Sequence, residues 1–534
     1  MKAHPSLALL ATVMALSACK KTENEGTKEK DVATSSATSV FVDVPVLTMS
    51  DNPDCPLWGA VQLTTDVPTT VEVHGTVAGD PWSKSFDALQ TEHDLTLLGL
   101  RADADLELMV TVEDEGGKQT TWEGLLEDKT DPLPASFPDF ETMVARPDLM
   151  EPGYTLFSVT FPDVTHPQYG IVVDEMGRVV WFITDPLGVG LFGQLEDGSL
   201  YYGSDRYGAS VVDGRGTILQ AWHTSIADTH APSSILLESE FVHHDMIQLP
   251  NGNMLTFGME ILVHPNYPSS EGNPNAPGTT ADVASDIVVE FASDGSVVQQ
   301  WPFADLIDTS RIGYDSVTGP WWTNFLGQAL KDWTHSNALY YNEAEDTILA
   351  SIRHQDAVIN FSRATGELIW ILAPSENWSP EFLPYVLAPA GPDFRHAYHQ
   401  HGAKMTPDGT ILMFDNGNNQ ASAFEPRTEG PDIRSRAVEY AVDPVAMTQT
   451  QVWEWDDLPG AGYAIAQGDA DILPATNNAL ITYGHMPEFT PNAPSAQVVE
   501  VTRGATEEIV FHMAFETGAW VYRSDRVDSI YPPQ

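Results

Sequence analysis

Cysteine is the scarcest residue in this 534-residue sequence, which has only Cys19 and Cys55. Cys19 ends a leader in which a short charged start precedes the apolar run 5–18. This pattern predicts a bacterial lipoprotein signal over residues 1–19, with Cys19 as the lipid-bearing first residue of the mature chain. An ordinary signal peptide with an incidental cysteine is the alternative. If Cys19 is acylated, Cys55 has no partner for an intrachain disulfide, so the core must stabilise the exported protein.

Long apolar runs are also lacking after the leader, so no later segment is predicted to cross a bilayer. Residues 20–38 are polar and predict a flexible linker. The predicted protein is exported and lipid-anchored to a bacterial cell membrane through Cys19 alone. It faces the periplasm or the cell surface.

Positive charge is scarce: 25 basic residues stand against 76 acidic ones, a formal net charge of −51. A field of this sign repels nucleic acid and anionic lipid headgroups, which excludes both as partners. It also means that an anionic substrate needs a locally positive pocket.

Helical periodicity is limited to the short segments 302–307 and 324–332. Residues 39–130 instead alternate apolar and polar side chains in short strands, which predicts a small β-sandwich of the fibronectin type III-like kind. A Pro-rich linker over residues 131–150 follows it.

Residues 151–534 contain two alternating repeat signals. One is a polar turn between apolar runs, as at Asp197-Gly, Asn251-Gly and Asp408-Gly. The other is a turn followed by β-branched residues and an aromatic, as in Gly177-Arg-Val-Val-Trp and Gly366-Glu-Leu-Ile-Trp. Six such units predict an all-β chain, a six-bladed β-propeller behind the N-terminal sandwich, although one degenerate repeat could hide a seventh blade.

A histidine recurs at one place in three of the repeated hairpins. It stands six residues before a shared position: His244 before Pro250, His335 before Tyr341 and His401 before Pro407. Core packing gives no reason to repeat an imidazole there. Because the innermost strands of a propeller begin around one channel mouth, we expect the three histidines to form one site.

The hairpin turns extend this site by register. Centring the turn of the His335 hairpin on Ala344 sets Arg353 opposite His335, and the same exercise sets Asn416 opposite His401. It also brings His485 near the mouth.

Three histidines and an arginine suit an anionic, tetrahedral group. Arginine offers a fork of donors for sulfuryl or phosphoryl oxygens, and histidine can act as nucleophile, acid or base near neutral pH. A metal site is the rival, because clustered histidines are common ligands. A fixed cation at Arg353 weakens that alternative, and His399-Gln-His keeps it open. We predict no metal and no cofactor.

Several motifs resemble those of the bacterial arylsulfate sulfotransferases, which do not use 3′-phosphoadenosine-5′-phosphosulfate. They are His243-His-Asp with Leu249-Pro-Asn-Gly-Asn, Asp332-Trp-Thr-His-Ser-Asn, Ser351-Ile-Arg-His-Gln-Asp-Ala-Val-Ile, Gln400-His with Phe414-Asp-Asn-Gly-Asn, and Tyr522-Arg-Ser-Asp-Arg. The resemblance implies a six-bladed propeller with an N-terminal β-sandwich, in agreement with the repeats. Characterised members are periplasmic, some with a disulfide near the nucleophile, which this chain cannot form.

The resemblance also implies roles. His401 would be the nucleophile that forms a sulfohistidine, Arg353 would hold the sulfuryl oxygens, and His244 and His335 would stabilise charge and move the phenolic proton. An aryl sulfate would load His401 and a second phenol would collect the sulfuryl group, in a ping-pong sequence.

The expected partners are a phenolic donor and a phenolic acceptor, and a homodimer is left open. We predict Asn416 and the aromatic side chains Trp321, Trp322, Trp378 and Tyr385 as substrate-binding residues. The Pro/Gly/Asn/Ser-rich insert 264–281 predicts a disordered surface loop, and a segment that lies over a face of the propeller is the alternative. Two alternatives remain: a non-catalytic propeller that binds an anionic or sulfated ligand, and a histidine-metal propeller lyase or hydrolase.

Overall fold

The computed structural model describes residues 40–163, 166–204, 208–428, 433–459, 462–488 and 493–533. The predicted signal peptide, the lipid site at Cys19 and the polar linker lie outside these residues. The following description concerns the unit that begins at Phe41. Among the described helices, none has the length and apolar character needed to span a membrane.

The first sheet has six strands: β1 (Val46–Met49), β2 (Gly59–Val77), β3 (Asp80–Leu97), β4 (Asp105–Asp114), β5 (Gln119–Thr121) and β6 (Leu126–Lys129). Strands β2 and β3 form a long hairpin whose register shifts between Thr64 and Thr69. One face of β4 is apolar at every second residue, and those side chains are buried, as the alternating pattern predicts.

The remaining strands follow in chain order: β7 (Phe140–Ala145), β8 (Tyr154–Thr160), β9 (Tyr169–Val173), β10 (Val179–Thr184), β11 (Leu191–Gln194), β12 (Leu200–Ser204), β13 (Gly208–Val212), β14 (Ile218–His223), β15 (Ile235–Leu236), β16 (His243–Gln248), β17 (Met254–Tyr267), β18 (Thr279–Phe291), β19 (Val297–Pro302), β20 (Lys331–Asp332), β21 (Ser336–Asn342), β22 (Thr347–Ile352), β23 (Ala357–Ser362), β24 (Leu368–Leu372), β25 (Ala388–Ala390), β26 (His401–Met405), β27 (Ile411–Asp415), β28 (Arg436–Asp443), β29 (Thr448–Trp455), β30 (Asp469–Ile472), β31 (Ala479–Tyr483), β32 (Ala496–Val501), β33 (Ile509–Phe515) and β34 (Trp520–Val527). The helices are α1 (Phe303–Leu306) and α2 (Trp321–Leu326), with 3₁₀ turns at Arg353–Gln355 and Leu383–Tyr385.

Within the described residues these strands form six further sheets, each built around four antiparallel strands. Strands β8–β10 take β34 as their fourth member, and strands β30–β33 take β7 at their outer edge. The first sheet of the series is therefore completed by the C-terminal strand, and the last by the N-terminal one. The other four sheets are β11–β15, β16–β20, β21–β24 and β25–β29.

The turns that separate the first two strands of each repeat behave as predicted. Gly198, Gly252 and Gly409 adopt φ values of +82°, +83° and +79°, which a side chain would make costly. Each glycine N–H donates back to the carbonyl three residues earlier. Asn-Gly and Asp-Gly therefore close these hairpins, as their sequence indicates.

The all-β prediction is confirmed, and the two helices are short, with α2 starting three residues before the segment predicted at 324–332. The blade count and the separation of the first sheet from the repeats remain predictions. Hydrogen bonds join this sheet and the residue after β3 to later parts of the chain: Arg215 donates to Asp94, and the Tyr531 hydroxyl accepts from the Leu98 N–H at 2.7 Å.

The first strands of successive sheets lie against one another. Strand β16 contacts β21, β21 contacts β26, β26 contacts β30, and β30 contacts β34. Each of β16, β21 and β26 has a register shift at its start, beside the recurring histidine. A bulge changes the direction of a side chain and interrupts regular strand pairing. The three histidines therefore lie at the irregular starts of their strands.

Candidate active site

The backbone at the recurring histidines is unusual. His244 and His335 adopt φ values of +60° and +50°, in the left-handed region that non-glycine residues rarely occupy. In the third hairpin Gly402, next to His401, takes this conformation at +64°. Such strain persists only where the surrounding structure holds it, and it clusters at functional sites.

A cavity of about 430 Å³ is lined by three of the predicted residues, Trp321, His335 and Arg353. Its wall includes Asp315, Trp321, Asp332, His335, Arg353, His354, Asn418, Ile465, Ala466 and His485. His485, which the last repeat places near the mouth, is therefore part of this wall. His244 and His401 do not line the cavity. His244 lies directly behind His335, with 4.9 Å between ring centroids, and His401 is 3% exposed.

His401 is held in one tautomer. The Asn416 amide nitrogen donates to the carbonyls of Ala464 and Gln467, both at 2.9 Å, so the amide oxygen must face His401. That oxygen lies 2.6 Å from Nδ1 of His401, and it can only accept, so Nδ1 carries the proton. The lone pair is therefore on Nε2, which accepts a 3.2 Å hydrogen bond from the Gln467 N–H.

The register of this hairpin differs from the prediction by two residues, because His401 pairs with Phe414 rather than Asn416. The bulge after His401 still brings the Asn416 side chain to the imidazole. In the neighbouring hairpin the Arg353 N–H donates to the His335 carbonyl at 3.3 Å, close to the predicted pairing.

His401 is kept neutral by its surroundings. Burial lowers its pKa well below the usual value, and Arg353, His335 and Arg523 add to this effect. The Asn416 hydrogen bond opposes the shift without reversing it. A neutral imidazole whose Nε2 carries a lone pair and no proton is the form that a nucleophile requires.

Arg353 presents donors at the cavity wall. Its Nη2 donates to the Ile465 carbonyl at 3.2 Å, and its Nη1 lies 3.5 Å from the Asp315 carboxylate. The Nε donor is buried and has no hydrogen-bond partner among the described residues. A guanidinium with an unused donor beside a cavity is suited to bind the oxygens of an anion.

Asp332 holds two imidazoles. Its Oδ2 lies 2.8 Å from Nδ1 of His335, and its backbone carbonyl lies 2.6 Å from Nδ1 of His354. The two rings stack with 4.6 Å between centroids. Burial raises the pKa of Asp332 to about 7, while burial lowers that of His354 to about 3 although Asp332 opposes that shift. The donor atoms of these three residues lie within 4.8 Å of one another, close enough to hold a metal ion.

His244 lies beside a second histidine, His243. Its Nδ1 lies 2.8 Å from Nδ1 of His243, whose Nε2 is 3.5 Å from Asp286. Burial lowers the pKa of His244 well below its usual value, and the neighbouring histidines His335 and His243 lower it further.

Tyr522 and Arg523 lie beside the site, although the sequence did not single out either residue. Tyr522 lies beside His244, with 6.1 Å between ring centroids, and Arg523 pairs with Asp245 at 3.0 Å. They come from β34, which has no histidine and no place in the repeated hairpin pattern. The motif that begins at Tyr522 was the one available signal.

Of the predicted aromatic residues, Trp321 alone lines the cavity, where its ring lies 5.9 Å from His244 and 5.7 Å from His335. Trp322 is 1% exposed and packs in the core against Phe241. Trp378 is buried under the Arg311 guanidinium, and the half-exposed Tyr385 lies on a 3₁₀ turn away from the cavity.

The insert 264–281 is not a disordered loop. Strands β17 and β18 extend into it from both sides, and Glu271 within it is 4% exposed. The Glu271 carboxylate accepts hydrogen bonds from the N–H groups of Val317 and Thr318 at 2.8 and 3.0 Å. This buried carboxylate anchors the insert to the segment that contains Val317 and Thr318.

Comparisons with known proteins agree with the motifs. The arylsulfotransferase (ASST) family model matches residues 143–523. The arylsulfate sulfotransferases AssT of Escherichia coli O6:H1 and of Lelliottia amnigena are 26% and 25% identical, each match covering 40% of this chain and 40% of the relative. The chain thus spans less than half the length of these relatives. Among solved structures, the β-propeller domain of Myceliophteria thermophila Cps50 (Swd1) is 10% identical with a TM-score of 0.30, covering 70% of this chain and 88% of that one.

The matched range contains His244, His335, Arg353 and His401, the four residues that the repeats and the register brought forward. The family model spans most of the chain, so this protein belongs to the arylsulfotransferase (ASST) family.

Proposed function

We propose that this protein is an aryl sulfate sulfotransferase that works by a ping-pong mechanism through a sulfohistidine at His401. The observation that carries the proposal is the fixed tautomer of His401. It leaves Nε2 without a proton, in the neighbourhood of Arg353. Family membership supports the reaction class.

In the first half-reaction Nε2 of His401 attacks the sulfur of an aryl sulfate. The N–S bond forms, the S–O bond to the aryl group breaks, and its electron pair leaves on the phenolate oxygen. His335, as an imidazolium whose Nδ1 lies 2.8 Å from Oδ2 of Asp332, gives that oxygen a proton. The hydrogen bond from the Gln467 N–H must lengthen as Nε2 attacks, and at 3.2 Å it is already weak.

In the second half-reaction a phenol gives its proton back to the histidine pair His335 and His244. Its oxygen attacks the sulfur, the N–S bond breaks, and the electron pair returns to Nε2 of His401. Arg353 offsets the charge on the sulfuryl oxygens in both halves, which is the kind of preorganised electrostatics that dominates catalysis.

Trp321 is proposed as the aromatic wall for the substrate. It is 38% exposed, lines the cavity and faces both His244 and His335. An aromatic platform at that place would hold the ring of the phenol while its oxygen meets the histidines.

A metal-dependent lyase or hydrolase is the second candidate, because Asp332, His335 and His354 bring three donor atoms together. The 2.8 Å contact between Asp332 and His335 accounts for part of this closeness as an ordinary hydrogen bond. A binding protein for an anionic or sulfated ligand is the other candidate, which Arg353 would serve equally well.

The test is release of 4-nitrophenol from 4-nitrophenyl sulfate, with and without added phenol and chelator. It compares the wild type with His401→Ala and with a control, His74→Ala, in the first sheet. Release that phenol stimulates, that chelator leaves unchanged and that only His401→Ala abolishes supports the proposal. Chelator-sensitive release would favour the metal enzyme, and a folded protein without release would favour the binding protein.

We further propose that the chain is exported and carries lipid on Cys19. Export with lipidation predicts incorporation of a labelled fatty acid into the wild type and none into Cys19→Ser. If both proteins are secreted and neither takes up the label, residues 1–19 are an ordinary signal peptide.

A further inference from the structure

Two hydrogen-bond acceptors on the cavity wall lack a donor. Asp315 directs Oδ2 to His399 Nε2 at 3.4 Å and to Arg353 Nη1 at 3.5 Å, while Oδ1 makes no hydrogen bond to a described residue. Asn418 donates from Nδ2 to the Ile465 carbonyl at 2.9 Å, which fixes the amide and leaves its Oδ1 as an acceptor. That buried oxygen has no partner, and Asn418 is only 9% exposed.

Both residues belong to the same wall as Trp321, His335 and Arg353. The Asp315 side chain is 37% exposed, so its free oxygen can meet a ligand. An acceptor that stays unpaired in a buried site costs free energy, which a ligand with a matching donor would recover.

The Asp315 loop is held in place on several sides. Asp315 has a φ of +66°, and its carbonyl accepts from the Gly319 N–H at 2.7 Å. Glu271 binds the next turn of the loop, and the Ser316 hydroxyl donates to the His354 carbonyl at 3.1 Å. The carboxylate is therefore presented at a fixed position before any ligand arrives.

The carboxylate is also kept charged. Burial opposes its ionisation, yet His399 and Arg353 hold the pKa of Asp315 well below its usual range. His399 is itself 0% exposed and lies 3.0 Å from Asp356 on its other nitrogen. Since His399 and Arg353 both contact Oδ2, the free oxygen Oδ1 presents negative charge to the cavity.

We propose that Asp315 and Asn418 are specificity-determining residues that select aryl substrates with a hydrogen-bond donor, such as a second hydroxyl group, and reject those with a second anionic group. The inference rests on the proposed sulfuryl transfer and names the class of phenol that the site accepts. A second hydroxyl can donate to either free oxygen, whereas a carboxylate on the ring meets Asp315 and leaves Asn418 unpaired. An aryl methyl ether offers no donor.

The test measures kcat/KM for acceptor phenols with 4-nitrophenyl sulfate as donor. Catechol, resorcinol and hydroquinone are each compared with their monomethyl ethers, and 4-hydroxybenzoate is compared with 4-hydroxybenzyl alcohol. The proteins are wild type, Asn418→Ala, Asp315→Asn and the control Asp393→Asn, which removes an exposed carboxylate outside the cavity. Each phenol has the same intrinsic reactivity with every variant, so a change in these ratios reports the protein.

In the wild type, kcat/KM for at least one diol should exceed kcat/KM for its monomethyl ether by about tenfold, which is the effect of one hydrogen bond. Asn418→Ala should bring that ratio close to one. Asp315→Asn keeps an acceptor oxygen but loses the charge, so the penalty on 4-hydroxybenzoate should fall by about tenfold. Asp393→Asn should leave both ratios unchanged.

Calorimetric binding of the same phenols to His401→Ala protein, with and without the two substitutions, needs no turnover. The same ratios in affinity would support the inference even where a variant has lost activity. Ratios that neither Asn418→Ala nor Asp315→Asn changes, in binding and in turnover, would overturn it. Failure of the wild type to release 4-nitrophenol would instead refute the proposed function, and the binding ratios would still decide the inference.

Discussion

His401 and Lys404 lie on the same short strand, β26, and enter two buried polar clusters that treat their charge in opposite ways. His401 contacts the Asn416 amide and the Gln467 N–H, which are neutral groups. Lys404 binds the carboxylates of Asp469 at 3.0 Å and Asp471 at 2.6 Å. The strand thus joins a site of neutral partners to a cluster of charged ones.

The pKa directions follow from these partners. Burial lowers the pKa of His401, and no carboxylate contact offsets it, so the imidazole stays neutral. Burial also acts against Lys404, yet Asp469 and Asp471 raise the pKa of its ammonium. The partners of the two side chains therefore decide the outcome: one cluster holds a neutral imidazole and the other a charged ammonium.

The acidic cluster also contains Asp525, and the donor oxygens of the three aspartates lie within 4.8 Å of one another. Lys404 already bonds two of them, and Arg523 pairs with the adjacent Asp245. Internal counter-charges complete this cluster, whereas in the His401 cluster the buried Nε of Arg353 has no partner among the described residues.

The largest expected effect comes from the nucleophile. His401→Ala should lower the rate of aryl sulfate cleavage by about 10⁴-fold or more, because it removes the Nε2 on which the proposed covalent intermediate forms. Trapping of a radiolabelled sulfuryl group on the protein should disappear with it. If this variant retains both cleavage and label, the nucleophile is a residue other than His401.

Asn416→Ala should reduce cleavage roughly a hundredfold, since the imidazole loses the acceptor that keeps the proton on Nδ1. A Gln substitution should recover part of the rate. Thermal denaturation of both variants is the control, because Asn416 also binds the Ala464 and Gln467 carbonyls. Full activity in a stable Asn416→Ala protein would show that the tautomer needs no support.

Lys404→Met should lower the free energy of unfolding by roughly 2–4 kcal/mol, because it leaves Asp469, which is 1% exposed, as an uncompensated buried charge. The rate per folded molecule should change little. Denaturant unfolding measures the loss, and the double variant Lys404→Met/Asp469→Asn should recover much of it. If Lys404→Met unfolds with the same free energy as the wild type, the pairing of Lys404 with the aspartates does not stabilise this cluster.

The smallest effect concerns pH. A lowered pKa leaves His401 neutral above its folded value, so kcat/KM for the donor should show no acid limb from His401 between about pH 6 and pH 8. Asn416→Asp places a carboxylate beside the ring, raises the pKa of His401 and should introduce a decline as the pH falls. Identical profiles for the two proteins would contradict this electrostatic account.

Some features of the fold and of the site could be predicted from the sequence, and others could not. The hairpin turns and the recurring histidines were readable because they repeat, and a repeat places equivalent residues in equivalent positions. The register could not be read precisely, because the bulges at the starts of β16, β21 and β26 shift the pairing locally. Trp322 and Trp378 show the same limit, since an aromatic residue in a loop can pack inward or face a cavity.

The sequence by itself determined the all-β class, the turns at Gly198, Gly252 and Gly409, and the strand positions of His244, His335 and His401, because local periodicity and turn chemistry suffice for these. Tertiary structure alone decided that Arg353 and His399, far apart in sequence, meet at the Asp315 carboxylate. It also decided that Asn416 sets the tautomer of His401 and that Arg523 reaches the site from the last strand. Such contacts depend on how separate sheets pack, and nothing in the local pattern of one segment records its distant neighbours.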